Sequence, residues 1–318
     1  MFGGFKGLFG GKEKGDGASR PSPPRPPARV KPVARPKLRR INLQKRFTIL
    51  AETGQGSMSR VYRALDNEHQ RSVCLKVQDK AKTVAAHART TSTTASYRPS
   101  EGEIGVQINH PNVVRTFEYG ATTKGDYYVV MEYIDGVSLT FVRESRVLSL
   151  ADKVDLLAQA AEGLAAVHAA GFIHHDFGPK NLLIDRDNRL KLIDFGLTIP
   201  NTPEFRRPGN RTGTLQYLAP EVIRREVKDE RLDIFSWGVT AFELLSGRQP
   251  YDVAGDAMTQ IRLRMNIEPL ELKKVAPHLP AELCAIVQKT LARRKEDRWA
   301  KAATLATALR ELELTAGR

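Results

Sequence analysis

Between Ile173 and Gly196 the chain reads I-H-H-D-F-G-P-K-N-L-L-I-D-R-D-N-R-L-K-L-I-D-F-G. Leu182, Leu183 and Ile184 form one short apolar run and Leu190, Leu192 and Ile193 another, with the turn-prone Asp187 and Asn188 between them. That is the pattern of a β-hairpin. Antiparallel strands bring their outer ends together, so Asn181, before the first strand, lies next to Asp194, after the second. Two oxygen-bearing side chains at one end of a sheet suit a hard cation such as Mg2+, and Asp176, on the loop just upstream, is placed to take a proton from a hydroxyl. The arrangement points to metal-assisted group transfer.

Composition sets the frame around this stretch. With 318 residues, 41% of them hydrophobic and 27% charged, the chain is that of an ordinary globular protein. The two cysteines, Cys74 and Cys284, lie far apart with no C-x-x-C pair, which fits a reducing, cytoplasmic setting. No uninterrupted apolar run of membrane-spanning length and no signal-peptide core appears, so neither export nor a membrane span is expected. Of the net charge of +14, residues 1–46 carry +11. The basic character therefore belongs to the tail, and no specific nucleic-acid partner is expected.

The 173–196 segment resembles the catalytic loop and D-F-G motif of the eukaryotic-type protein kinase superfamily, Ser/Thr kinase-like, whose signature is H-R-D-L-x-x-x-N followed by D-F-G. The resemblance extends over about residues 47–312. It implies an α+β, bilobal fold: a small β-rich N-lobe with one main helix, residues 41–134, and a larger, mostly helical C-lobe, residues 135–318.

Ahead of these lobes, residues 1–40 divide into a Gly/Phe-rich start and a Pro/Arg-rich run, read as a disordered basic tail with polyproline character. Phe2, Phe5, Leu8 and Phe9 beside Lys6, Lys12 and Lys14 suit shallow insertion into an anionic membrane surface, or contact with a partner. A solvated tail is the simpler reading. Residue 2 is Phe, so the myristoylation pattern is absent.

From Phe47 the pattern is strand-like. Gly54 and Gly56 let a turn approach a phosphate closely, with backbone N–H groups free to donate; Ser59 stands where the family has a third glycine. Val61 follows, then the strand V-C-L-K, which makes Lys76 the residue the resemblance assigns to the α and β phosphates of ATP. Residues 83–100 are rich in Ser and Thr and read as a mobile insertion. Glu101 lies nine residues before His110, the family's spacing for the acid that pairs with the lysine; Glu103 is the rival, and Gly102 and Gly105 weaken the helix under both. Strands over 113–121 and 127–133 lead to a hinge. There the resemblance puts Met131 behind the adenine pocket and the backbones of Glu132 and Ile134 on the base. Helical spacing predicts a core helix over 151–170 and another from Asp233, whose carboxylate is expected to brace the catalytic loop.

The catalytic loop departs from the family at three points. His175 replaces the arginine before the base, giving a non-RD, H-H-D loop. Gly178 replaces a lysine that steadies the phosphoryl group, and Lys180 offers a cation by another route. Thr214, in G-T-x-Y, matches the threonine that orients the base in Ser/Thr kinases; the stretch after Gly196, which the resemblance makes the activation segment, closes with A-P-E at Glu221, whose expected partner is Arg298. The resemblance thus implies an ATP-dependent signalling transferase that phosphorylates Ser/Thr hydroxyls of proteins. Lys76 would position ATP, Asn181 and Asp194 would hold Mg2+, with Mn2+ as substitute, and Asp176 would orient the acceptor. The alternative is a pseudokinase scaffold that binds nucleotide or a partner without efficient turnover.

Overall fold

Alternating β-branched and aromatic residues build the strands between residues 40 and 132 into one sheet. The computed structural model describes residues 38–55, 59–79, 97–209, 211–251 and 256–313. The tail as far as residue 37, Gly56, and residues 83–96 of the expected insertion lie outside the described residues. In chain order the first elements are β1 (Arg40–Ile41), α1 (Leu43–Arg46), β2 (Phe47–Gln55), β3 (Ser59–Asp66), β4 (Arg71–Gln78), α2 (Glu101–Gly105), β5 (Thr116–Thr122) and β6 (Tyr127–Glu132). The strands form one sheet in the order β1-β5-β6-β4-β3-β2, antiparallel except for the β1–β5 pair. One face buries Phe47, Ala64, Val73, Leu75, Tyr128 and Val130 as a small core of its own.

The second half is largely helical. It comprises β7 (Gly136–Ser138), α3 (Leu139–Ser145), α4 (Leu150–Ala169), β8 (Phe172–Ile173), β9 (Leu182–Asp185), β10 (Leu190–Leu192), β11 (Ile199–Pro200), α5 (Pro203–Arg206), α6 (Pro220–Ile223), α7 (Arg231–Ser246), α8 (Ala257–Asn266), α9 (Leu272–Val275), α10 (Ala281–Thr290) and α11 (Ala302–Arg310). Ser149 caps α4 by accepting the Asp152 N–H, and Gly171, at φ +83°, lets the chain turn out of it. α7 is buried on nearly every side, which explains its continuous apolar sequence, and Trp237 donates from its indole to the Leu157 carbonyl of α4 at 3.1 Å. This pair of helices forms the floor on which the loop between β8 and β9 rests. The architecture is α+β, a β-rich lobe followed by a helical one. Among the described residues no helix is long and apolar enough to cross a membrane.

Candidate active site

The β9–β10 hairpin pairs Leu182 with Leu192, Leu183 with Lys191 and Ile184 with Leu190, and Asn188 takes the left-handed conformation in its turn (φ 57°). Beyond the last rung, the Ile193 N–H donates to the Asn181 carbonyl at 2.9 Å. The ladder therefore carries Asn181 up to the residue preceding Asp194. Asp194 itself sits at φ 68° and accepts the Gly196 N–H on Oδ1 at 3.1 Å.

Strand register brings the residues expected to face a nucleotide into one row. Gly54 pairs with Val61, Val61 with Lys76, and Lys76 with Val129. Lys76 Nζ donates to Glu101 Oε1 at 2.7 Å and to Asp194 Oδ1 at 3.0 Å, so one ammonium joins the sheet, helix α2 and the end of the hairpin. Burial opposes the charge on Lys76, but the carboxylates of Glu101 and Asp194 outweigh it and hold the ammonium pKa above its ordinary value. Burial likewise works against the Asp194 carboxylate; Lys76 outweighs it and keeps that pKa low. For Glu101 burial prevails over the pull of Lys76, and its pKa is raised.

Glu101, not Glu103, meets the lysine. Glu103 turns back to the start of its own helix, where Oε2 accepts the Ser100 N–H at 2.7 Å while the Ser100 hydroxyl accepts the Glu103 N–H at 3.3 Å, a reciprocal cap. The end of the Ser/Thr-rich stretch is built into this arrangement, for the Tyr97 hydroxyl donates to Glu103 and Arg98 donates to the carbonyls of Gly196 and Thr198.

Four donors converge on Asp176. The N–H and hydroxyl of Thr214 reach Oδ1 at 2.9 and 2.8 Å, while Lys180 at 2.8 Å and the Asn181 amide at 3.2 Å reach Oδ2. The loop is held from below by Asp233, fully buried on α7, which accepts the N–H groups of His174 and His175, both at 2.8 Å, and pairs with His168 at 2.9 Å. Burial alone would raise the Asp233 carboxyl, but His168 and the neighbouring donors reverse that and keep it low.

At the hinge, Met131 is buried opposite Cys74. The Glu132 N–H is already given to the Arg115 carbonyl at 2.9 Å and so is not free for the expected base; the Glu132 carboxylate accepts from Lys191 at 2.6 Å. Ile134 packs, partly buried, against the larger core.

The donor chemistry fits a hard divalent cation. Asn181 commits its amide N–H groups to the carbonyl and Oδ2 of Asp176, which leaves its carbonyl oxygen as a ligand. Asp194 takes Lys76 and Gly196 on Oδ1, which leaves Oδ2. A small oxygen set completed by phosphate and water is what Mg2+ commonly uses.

Two contributors escape the sequence reading. Gln78 Nε2 donates to Glu101 Oε2 at 2.6 Å; strand alternation, which places residues 76 and 78 on one face, is the signal for it. The other is Tyr217, whose hydroxyl reaches Glu243 on α7 at 2.8 Å, and no sequence pattern links those two positions.

Comparison with known proteins agrees with this geometry. The protein kinase domain family matches residues 47–309. The serine/threonine-protein kinase PknB of Mycobacterium leprae (strain TN) is 30% identical over 271 residues, covering 83% of this chain and 42% of the relative. PknB of Mycobacterium tuberculosis (strain ATCC 25618 / H37Rv) is 31% identical over 272 residues, with the same coverage of 83% and 42%. PknE of Mycobacterium bovis (strain ATCC BAA-935 / AF2122/97) is 30% identical over 257 residues, 80% of this chain and 44% of the relative. The chain spans about two fifths of the length of these curated relatives.

Proposed function

The chain belongs to the protein kinase domain family, and from that premise we propose that it transfers the γ-phosphoryl group of ATP to Ser and Thr hydroxyls of cytoplasmic proteins. The observation that carries this reading is the double engagement of Lys76 by Glu101 and Asp194, next to an Asp176 already oriented by Thr214 and Lys180. In the proposed reaction the acceptor oxygen forms a bond to the γ phosphorus as the bond to the ADP oxygen breaks, and the hydroxyl proton passes to Asp176. Lys76 holds the α and β phosphates, the row containing Gly54 and Val61 covers the nucleotide, and Lys180 lies within reach of the transferred group. Asn181 and Asp194 would hold Mg2+ or Mn2+, which supplies charge neutralisation on the phosphates. The lobes would divide near residue 134, and the basic tail would give an anionic surface or partner its point of attachment.

Incubation of the full chain with γ-labelled ATP, Mg2+ and a generic basic protein tests the proposal. Label on phosphoserine and phosphothreonine, reduced at least about 100-fold by Asp194→Asn, is the expected result; equal label from both forms refutes it. Ser59, Gly178 and the buried His175 favour the second reading, a scaffold. Tight Mg-ATP binding with no transfer by the unaltered chain would select it.

A further inference from the structure

Thr214 can hold Asp176 only if the chain that follows Thr214 is itself held. That chain is one 3₁₀ turn, Leu215–Tyr217, which runs through Leu218 and Ala219 into α6. Within it the Tyr217 N–H donates to the Thr214 carbonyl at 2.9 Å, and the Leu218 N–H reaches the Leu215 carbonyl at 3.4 Å. The Leu215 side chain is 38% exposed, so its burial steadies the turn little. Side chains of two helices take over. The Ser236 hydroxyl of α7 donates to the Tyr217 carbonyl at 2.8 Å, while Arg264 of α8 donates from Nη1 to the Leu215 carbonyl at 2.9 Å and to the Leu218 carbonyl at 3.4 Å. Helix α8 is fixed in turn, for its Met265 carbonyl accepts from Arg224, just past α6, at 3.1 Å and from Arg293.

Arg264 is an unusual residue for helix packing. It is 5% exposed, its Nε has no hydrogen-bond partner, and among the described residues no carboxylate pairs with it. Tyr251 covers the guanidinium, whose carbon lies 5.1 Å from the ring centroid, and burial lowers its pKa. A buried charge without a counter-ion is destabilising, and an apolar side chain of the same size would pack α8 at less cost. What an apolar side chain cannot do is donate to the carbonyls on either side of the turn, which a rigid guanidinium does. We infer that Arg264 is a positioning residue: by holding the Leu215 and Leu218 carbonyls it keeps Thr214 on Asp176 and so aligns the acceptor side of the site. The nucleotide side, built on Lys76, does not depend on it.

This inference rests on the kinase reading proposed above, so local order and phosphate transfer are measured separately on the full chain. Arg264→Met keeps an apolar stem and removes the donors; Arg264→Lys keeps the charge but loses the fork. In Arg264→Met, hydrogen exchange at the amides of Tyr217 and Leu218 should accelerate at least about 10-fold while α7 stays protected. The melting temperature should hold or rise, because an uncompensated buried charge has gone. With a Thr-containing peptide as acceptor, kcat/KM for the peptide should fall at least about 10-fold, and the KM for ATP should stay within about 2-fold. Arg264→Lys should show smaller effects of the same kind, and it decides the matter if Arg264→Met does not fold. Unchanged exchange at the turn in the folded variants overturns the inference. So does a loosened turn with peptide turnover intact, or a loss shared equally by peptide and ATP, as mere helix packing would give. A loosened turn in a chain that transfers no phosphate even when unaltered would sink the kinase reading and leave the hold of Arg264 on the turn standing.

Discussion

His175 holds a left-handed backbone (φ 69°) inside the protein, its N–H fixed on Asp233 and its Nδ1 3.2 Å from the Thr212 hydroxyl. The buried Nε2 has no hydrogen-bond partner among the described residues. Burial, with the charge of Lys228 adding to it, pushes the imidazole pKa down to about 4. The ring is therefore neutral at pH 7 and gives the activation segment no cation. Since the unfolded side chain titrates near 6.5, the unfolded chain takes up the proton first as pH falls. The contribution of His175 to stability is complete above about pH 6.5 and is lost between there and pH 4, a difference of roughly 2 to 3 kcal/mol. His175→Asn keeps a residue that tolerates positive φ and removes the titration. Urea unfolding at pH 7.5 and 4.5 should show the unaltered chain losing that much more stability than the variant; equal losses would disprove the assignment.

Helix α2 shows where sequence is sufficient and where it is not. The β9–β10 hairpin is legible because two apolar runs and a turn dictate its register, whereas the row Gly54–Val61–Lys76 depends on cross-strand pairing that includes two register shifts between β2 and β3, which no local pattern announces. In α2 the letters are ambiguous, because Glu101 and Glu103 are chemically alike and two residues apart. Gly102 and Gly105 read as helix-weakening. Their role is steric, since a Cβ at Gly102 would lie 2.3 Å from Tyr119 Cβ and one at Gly105 2.2 Å from the Thr116 hydroxyl. The glycines let the helix lie close on β5, and that depth sets which glutamate faces Lys76, a tertiary fact with no local signal. The two glutamates should separate experimentally. Glu101→Gln should lower kcat/KM for ATP-dependent transfer at least about 10-fold, since it removes one of the two carboxylates that hold Lys76. Glu103→Gln should cost about 1 kcal/mol of stability or less and spare turnover, because Gln also completes the cap. A larger kinetic loss from Glu103→Gln would reverse the assignment.

At the scale of the whole molecule, two buried ion pairs tie distant parts of the chain together. Arg298 reaches Glu221 with two parallel hydrogen bonds, both 2.8 Å, and joins the end of the activation segment to the C-terminal helices. Its side chain is fully buried, so Arg298→Ala should destabilise by about 3 to 5 kcal/mol in denaturant titration, leaving Glu221 uncompensated. The second pair joins the segment just ahead of the family match at residue 47 to the sheet inside it. There the Arg39 carbonyl accepts the Ala121 N–H at 2.9 Å, the Ile41 carbonyl accepts the Thr123 N–H at 2.9 Å, and Ile41 packs in the small core with Phe47 and Tyr128. Arg46 then anchors the segment, donating to Asp66 at 3.1 and 3.3 Å and to Glu118 at 2.7 Å. Asp66 is fully buried, so its charge depends chiefly on that guanidinium, with His69 at 3.0 Å and the Glu68 N–H at 3.1 Å as further partners. Residues 38–46 are therefore a structural part of the sheet, and β5, the strand they edge, is also the strand on which α2 rests. Arg46→Ala should cost about 3 to 5 kcal/mol by the same uncompensated-charge argument. Arg46→Ala/Asp66→Asn should recover part of that loss, because the buried charge goes with its partner. If the double variant is no more stable than the single one, the anchoring must come from the packing of the arginine stem, and the electrostatic account of this segment fails.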